Sequence, residues 1–210
     1  MNPPYRAILA DPPWSFESWS EKGAGKSAKR HYNVMELHAI KSMPVGSTLA
    51  HPDGCVLFMW AVDSMLPEAL EVIKAWGFTF KTVAFTWVKA ELGPALTTDL
   101  GPVREYTKEH FGMGYWTRGN PEMCLLATRG KPQKLSSSVR QLVVSPRREH
   151  SRKPDEIRTR IENLVPGPYL ELFARSRAPG WDAWGNEINK FPIGDPHESN
   201  IKRLVLSNRS

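Results

Sequence analysis

Cysteine is nearly missing from this chain: Cys55 and Cys124 are the only two in 210 residues. Both lie inside apolar, strand-like runs, so they read as small buried residues rather than a disulfide. The six histidines are scattered and form no Cys/His cluster, which argues against a structural zinc or any other metal site. No apolar run reaches the length of a membrane-crossing helix; the longest are strand-sized. Met1-Asn2-Pro3-Pro4 has no signal-peptide layout, so the cytoplasm is the expected compartment. Sequence repeats are absent too. Acid is in deficit, with 22 Asp and Glu against 28 Lys and Arg, a net charge of +6.

What is present fits one domain with a full core, since 40% of residues are hydrophobic. The positive surplus is local. Ten basic and three acidic residues lie between Arg129 and Arg160, an excess larger than that of the whole chain. Such a stretch reads either as a solvated face or as a surface that tracks phosphates. Together with eight tryptophans it points to nucleic acid as a partner.

The densest chemistry is Asp11-Pro12-Pro13-Trp14, directly after the strand-like run Tyr5-Arg6-Ala7-Ile8-Leu9-Ala10. Two prolines stiffen the backbone and remove two donors, leaving the carbonyls of Asp11 and Pro12 in a fixed geometry. Open α/β sheets place ligands at such carboxyl ends of strands. A carboxylate and a rigid carbonyl can together accept both N–H groups of an aromatic amine and aim its lone pair. A flat indole can stack on the base. The plainer reading is a Pro-Pro turn capped by a core tryptophan.

Residues 15–30 read as a basic, Gly- and Ser-rich loop beside this turn. Gly25-Lys26-Ser27 is not a phosphate loop, because Ser20 stands where the motif needs glycine. His31-Tyr32 closes the loop, with Tyr32 either packing or lining a base pocket. Asn33 is expected to cap a helix through Met43. Gly54 to Trp60 predicts a strand covered on both faces. Asp63 is expected to cap a helix to Gly77 with Leu66, Leu70 and Ile73 inward. Phe78 to Lys89 predicts a strand, Ala90 to Gly114 a long recognition loop. Strands are expected at Glu122 to Thr128 and Val139 to Val144. Lys153-Pro154-Asp155-Glu156 opens a helix that buries Ile157, Ile161 and Leu164. Tyr169 to Ala174 is a strand with Glu171 inside it, either gripping two ribose hydroxyls or facing solvent.

These pieces resemble, in order, a family of adenine methyltransferases. It is named after the seventy-kilodalton methyltransferase-A subunit of the mRNA adenine methylation complex and includes bacterial and phage members. The resemblance rests on Asp11-Pro12-Pro13-Trp14, His31-Tyr32, Phe58-Met59-Trp60, Trp87-Val88-Lys89, Gly114-Tyr115-Trp116, Glu122 with Cys124-Leu125, Lys153-Pro154-Asp155-Glu156, Glu171-Leu172-Phe173-Ala174-Arg175 and Trp184-Gly185-Asn186. It covers Tyr5 to Glu187.

The resemblance implies an α/β, Rossmann-like methyltransferase domain over residues 1–188, followed by a tail over 189–210. Its sheet is expected to be seven-stranded and mostly parallel, with helices on both faces. The motif order is permuted: the tetrad comes early and the cofactor strand late. S-adenosylmethionine is the implied donor. Asp11, Pro12, Pro13 and Trp14 would be catalytic. Asp11, Asn120, Glu122, Glu171, Arg175, Asn186 and Glu187 would bind the donor. Trp14, His31, Tyr32, Trp60 and Lys153 would meet the substrate. Pro121 departs from the family, where some members carry a lysine for the donor carboxylate; nearby Arg118 is a candidate substitute. Arg177 and Ala178 stand where some members have His and Asn.

The implied activity is methylation of the 6-amino group of adenine in nucleic acid, with DNA favoured over RNA. An inactive nucleic-acid-binding partner of the same fold, or a methyltransferase acting on the cytosine amine, are the alternatives. The tail would dock on the surface or mediate self-association as a homodimer.

Overall fold

The computed structural model describes residues 4–14, 35–92, 96–98, 101–103, 106–112, 116–149 and 152–190. At its centre lies β1 (Ala7–Ala10), buried at every position. It pairs in parallel with β2 (Gly54–Ala61) on one side and β9 (Tyr169–Leu172) on the other. Its side chains alternate between two cores, as strand pleating demands. Ile8 and Ala10 join one cluster, Ala7 and Leu9 the other. Helices α1 (Leu37–Lys41) and α2 (Leu66–Ala75) cover the first cluster with Ile40, Ala69, Val72 and Ile73. Helix α3 (Glu156–Leu164) covers the second with Ile157 and Ile161. Helices on both faces and fully apolar central strands agree with the sequence expectation. Both cysteines are free and buried, and burial pushes the Cys55 thiol up to about 12.

The sheet differs in part from the expected one. The order is β10-β9-β1-β2-β7-β3-β6, where β10 is Trp181–Trp184, β7 Pro121–Gly130, β3 Thr79–Leu92 and β6 Tyr106–Glu109. A further strand, β8 (Leu142–Ser145), pairs with β3 in parallel. Four pairings are parallel and three antiparallel, so the sheet is mixed with a narrow parallel majority; seven strands share one set of ladders, as expected, and β6 adds an eighth along the end of β3. Two of the antiparallel pairings belong to β7, which runs against both β2 and β3, and the third to β6 against β3.

Other boundaries also moved. The supposed loop from Ala90 to Gly114 contains the end of β3, β6, and a separate antiparallel pair, β4 (Leu96–Thr98) with β5 (Gly101–Val103). Strands of three or four residues are too short to leave a readable period. Strand β8 begins at Leu142, not Val139, because its ladder starts opposite Thr86. Leu70 is 37% exposed, while Ala69, Val72 and Ile73 fill the inward stripe. Asp63 makes no side-chain cap; it starts a tight turn, Asp63–Met65, ahead of α2. The helix expected from Asn33 begins at Leu37, and Asn33 lies outside the described residues. Gly77 ends α2 as expected. Its φ of +78° allows Phe78 N–H to reach the Ile73 carbonyl and its own N–H to reach Lys74. No helix among the described residues is long and apolar enough to cross a membrane. Of the tail from residue 189, only 189 and 190 are described.

Candidate active site

The parallel strands β10, β9, β1 and β2 all end at one edge of the sheet. Antiparallel β7 begins there, and the register Trp87↔Glu122 brings the end of β3 to the same edge. Asp11 therefore leaves β1 facing side chains that are distant in sequence. Lys153, from the segment before α3, donates to Asp11 Oδ2 at 3.0 Å and lies 3.2 Å from Glu122 Oε2. Lys89 closes the row at 2.6 Å from Glu122. The charges alternate: Asp11, Lys153, Glu122, Lys89. The Lys153 ammonium also lies 5.6 Å from the Trp60 ring, and Lys89 5.3 Å from Trp87.

Burial opposes the charges of Asp11, Lys153 and Glu122, yet the two acids respond differently. Burial pushes Asp11 above the ordinary aspartate range, and Lys153 only partly offsets it. Glu122 is buried as well, but Lys153 and Lys89 together outweigh that cost and hold it at about 2. Burial would lower Lys153, but Asp11 and Glu122 reverse this and raise it. Lys153 thus stays charged between two carboxylates.

The tetrad is more structural than its sequence suggests. Trp14 is 3% exposed and belongs to the first core. Its indole N–H donates to the Trp60 carbonyl at 3.1 Å. The expected open stacking face is therefore packed inward, because the Pro-Pro turn folds the ring back. Trp14 N–H donates to Pro12 O at 2.8 Å, and Met35 N–H to Pro13 O at 3.0 Å. The Pro12 carbonyl keeps one lone pair for another donor.

A cavity of about 290 Å³ opens beside the tetrad. Asp11, Pro12, Pro13, Arg175, Asn186 and Glu187 line it, together with Met35, Phe173, Trp184 and Gly185. Arg175 Nε donates to Glu187 Oε2 at 2.8 Å. Lys190 and Arg175 pull the Glu187 carboxyl down against its modest burial. Phe173 has a φ of +62°, a left-handed conformation costly for a bulky residue and a pointer to function. A smaller cavity of about 40 Å³, too tight for a nucleobase, joins Asp11, Trp60, Lys153, Glu171 and Arg175.

Four donor-site candidates, Asp11, Arg175, Asn186 and Glu187, thus share one cavity, and Glu171 lines the adjoining one. Glu171 does not face solvent: its side chain is 14% exposed and clasped by Arg158. Asn120 and Glu122 line neither cavity. Asn120 Oδ1 instead accepts the Lys89 N–H at 3.0 Å, bracing the end of β3. His31 and Tyr32 lie outside the described residues. Pro121 opens β7 and is exposed, as is Arg118. The sequence reading gave no role in the site to Lys89 and Trp184, although both lie in its motifs, and did not single out Arg158 or Met35. Arg158 left a signal, lying three residues after Asp155 on the opening turn of a helix.

Gly185 is required by close approach. A Cβ there would sit 2.5 Å from the Ala174 carbonyl oxygen and 2.7 Å from its nitrogen. Gly185→Ala is therefore expected to push β10 off β9 and cost about 1–3 kcal/mol, read as a lower denaturation midpoint. A midpoint equal to wild type would show that the contact is unimportant.

The family described as MT-A70 matches residues 5–187. The chain is 30% identical to the "Type II methyltransferase M.MunI" of Mycoplasma sp, over 94% of this chain and 83% of that protein. It is 26% identical to the human "N(6)-adenosine-methyltransferase catalytic subunit METTL3", over 91% of this chain and 30% of that protein. The Arabidopsis thaliana "N(6)-adenosine-methyltransferase MT-A70-like" is 27% identical, over 88% of this chain and 24% of the plant protein. The chain thus spans less than a third of these longer relatives and most of the bacterial one. On the extent of that match, the chain belongs to the MT-A70 family.

Proposed function

We propose that this protein transfers a methyl group from S-adenosylmethionine to the 6-amino group of adenine in nucleic acid, with DNA the expected substrate. One observation carries the reading: Asp11 and Pro12, at the tip of β1, border a 290 Å³ cavity whose other polar groups suit a nucleoside. The donor set fits. Glu171 and Glu187 offer carboxylate acceptors for ribose hydroxyls, Asn186 offers both a donor and an acceptor for a purine edge, and Asp11 offers negative charge for a cationic centre. Bound there, S-adenosylmethionine would supply an electrophilic methyl group on a sulfonium.

The chain's own residues do the positioning. The Asp11 carboxylate and the free lone pair of the Pro12 carbonyl accept the two amine hydrogens, which turns the nitrogen lone pair outward. Lys153 opposes the burial that works against the charge of Asp11, and it holds the Oδ2 oxygen. Trp14 acts from the core by bracing the turn, while the base enters over Pro12-Pro13. Catalysis of this type is alignment and electrostatics in a dry site. The motif order is permuted, since the amine-holding tetrad follows the first strand and the ribose-holding strand β9 comes late.

The basic stretch supports contact with phosphates in a reduced form. Arg148, Arg152, Lys153, Arg158 and Arg160 are committed to acidic partners inside the fold. Lys131, Lys134, Arg140 and Arg147 are exposed and form the candidate surface. The reading places the protein in the cytoplasm, where its substrate and donor are found.

The test is incubation with labelled S-adenosylmethionine and matched single- and double-stranded DNA and RNA, followed by nucleoside mass spectrometry. N6-methyladenine in a DNA arm is the expected product. N4-methylcytosine would move the acceptor, and no product from any arm would sink the enzymatic reading.

A further inference from the structure

Arg158 stands on the first turn of α3 with every edge of its guanidinium engaged. Nε donates to Glu171 Oε2 at 2.7 Å and Nη2 to Oε1 at 3.3 Å. Nη1 donates to Asp155 Oδ1 at 3.1 Å and Nη2 also to Ser176 Oγ at 3.2 Å. The residue therefore ties the helix start to β9 and to the turn that follows β9. Both partners of the clasp are 14% exposed and line the smaller cavity.

A two-point clasp uses one lone pair on each Glu171 oxygen and leaves one on each. Those remaining pairs suit two vicinal hydroxyls, provided that the carboxyl stays ionised. A protonated carboxyl would present a donor where an acceptor is needed. Burial works toward that protonation, and so do the charges of Asp11 and Asp155; Arg158 works against them and offsets them in part. The other cations around this cavity are engaged elsewhere: Lys153 with Asp11 and Glu122, Arg152 with Glu149 and Asp155, Arg175 with Glu187.

We infer that Arg158 is a positioning residue for the methyl donor, holding Glu171 ionised and oriented so that it accepts the hydroxyls of the donor's ribose. It touches neither donor nor acceptor, and the inference rests on the donor reading above.

Calorimetry with S-adenosylmethionine and S-adenosylhomocysteine tests it, from about pH 6 to 8.5, on wild type, Arg158→Gln, Arg158→Lys and Arg158→Gln/Glu171→Gln. Wild-type affinity stays flat with pH. Arg158→Gln binds about tenfold more weakly near pH 8 and loses up to about another tenfold per unit of acidification, as a carboxyl titrating in that range requires. Its kcat at saturating donor stays within about threefold of wild type, because the change enters through donor binding. The double variant binds weakly with no pH dependence, since the amide does not titrate. Arg158→Lys keeps the charge but loses the clasp, and binds a few-fold more weakly with a flat profile.

Unchanged donor affinity in Arg158→Gln overturns the inference. So does weakened affinity with a flat profile, which would mark a purely structural role. If Arg158→Gln fails to fold, wild-type affinity in Arg158→Lys overturns it equally. Absence of donor binding by the wild type would instead sink the donor reading itself.

Discussion

Asp11→Ala abolishes methyl transfer, by about a thousandfold or more, and leaves the protein folded. The size follows from what the side chain does. In the proposed mechanism it accepts a hydrogen of the amine, and in the structure it borders the larger cavity and pairs with Lys153. Fold tolerance follows from the charge row. Lys153 keeps Glu122 at 3.2 Å when Asp11 is gone, so no buried cation is stranded. Asp11 is also a carboxylate that burial disfavours, and its removal relieves that cost. Thermal melting and circular dichroism should therefore match wild type closely, while mass spectrometry finds no methylated nucleoside. Asp11→Asn separates shape from charge: the amide fills the same space, keeps one acceptor and loses the negative charge, and its activity should fall nearly as far. Turnover within about tenfold of wild type in either variant would remove Asp11 from the mechanism.

How far the sequence foretold this site depends on the kind of interaction involved. Local features were readable. The tetrad follows an apolar strand, Pro154 and two acids open a helix, and Gly77 closes another; each rests on residues a few positions apart. The central strands were readable because both faces are covered, which leaves unbroken apolar runs such as Gly54 to Trp60. Pairing between distant residues was not. The antiparallel entry of β7 is fixed by its ladders with β2 and β3, whose residues lie far from it in sequence, and strands of three or four residues such as β4, β5 and β6 give no period. Trp14 shows the limit most clearly. Its sequence context suits both a stacking face and a core plug, and only the bond to the Trp60 carbonyl, 46 positions on, decides for the core. Glu171 was legible as a buried acid needing a reason, but its clasp by Arg158 depends on how α3 docks on β9.

Lys153→Met should have the second-largest effect, and it acts on pH as well as on rate. Methionine keeps the length and removes the charge. Asp11 then faces burial with its main opposing cation gone, and Glu122 keeps only Lys89. Breaking a largely buried ion network by deleting one partner costs about 3 kcal/mol, toward the low end of the range because these side chains keep 15–25% exposure. The pH signs of the two acids are opposite. Glu122, held at about 2 in the fold, contributes stability that is full above its unfolded value near 4.5 and is lost as pH falls through about 2. Asp11, raised in the fold, contributes stability only below its unfolded value of 3.8, and this is lost as pH rises through its folded value. In the variant the Glu122 window moves upward, so acid unfolding begins at a higher pH than in wild type. Asp11 moves up as well, and this is the decisive readout. The acid limb of kcat/KM, which in wild type lies above the ordinary aspartate value, shifts toward neutrality, and the remaining activity rises with pH through a range where wild type is flat. A variant that loses stability while its pH–rate profile stays in place would make Lys153 a structural brace and leave Asp11 ionised by some other means.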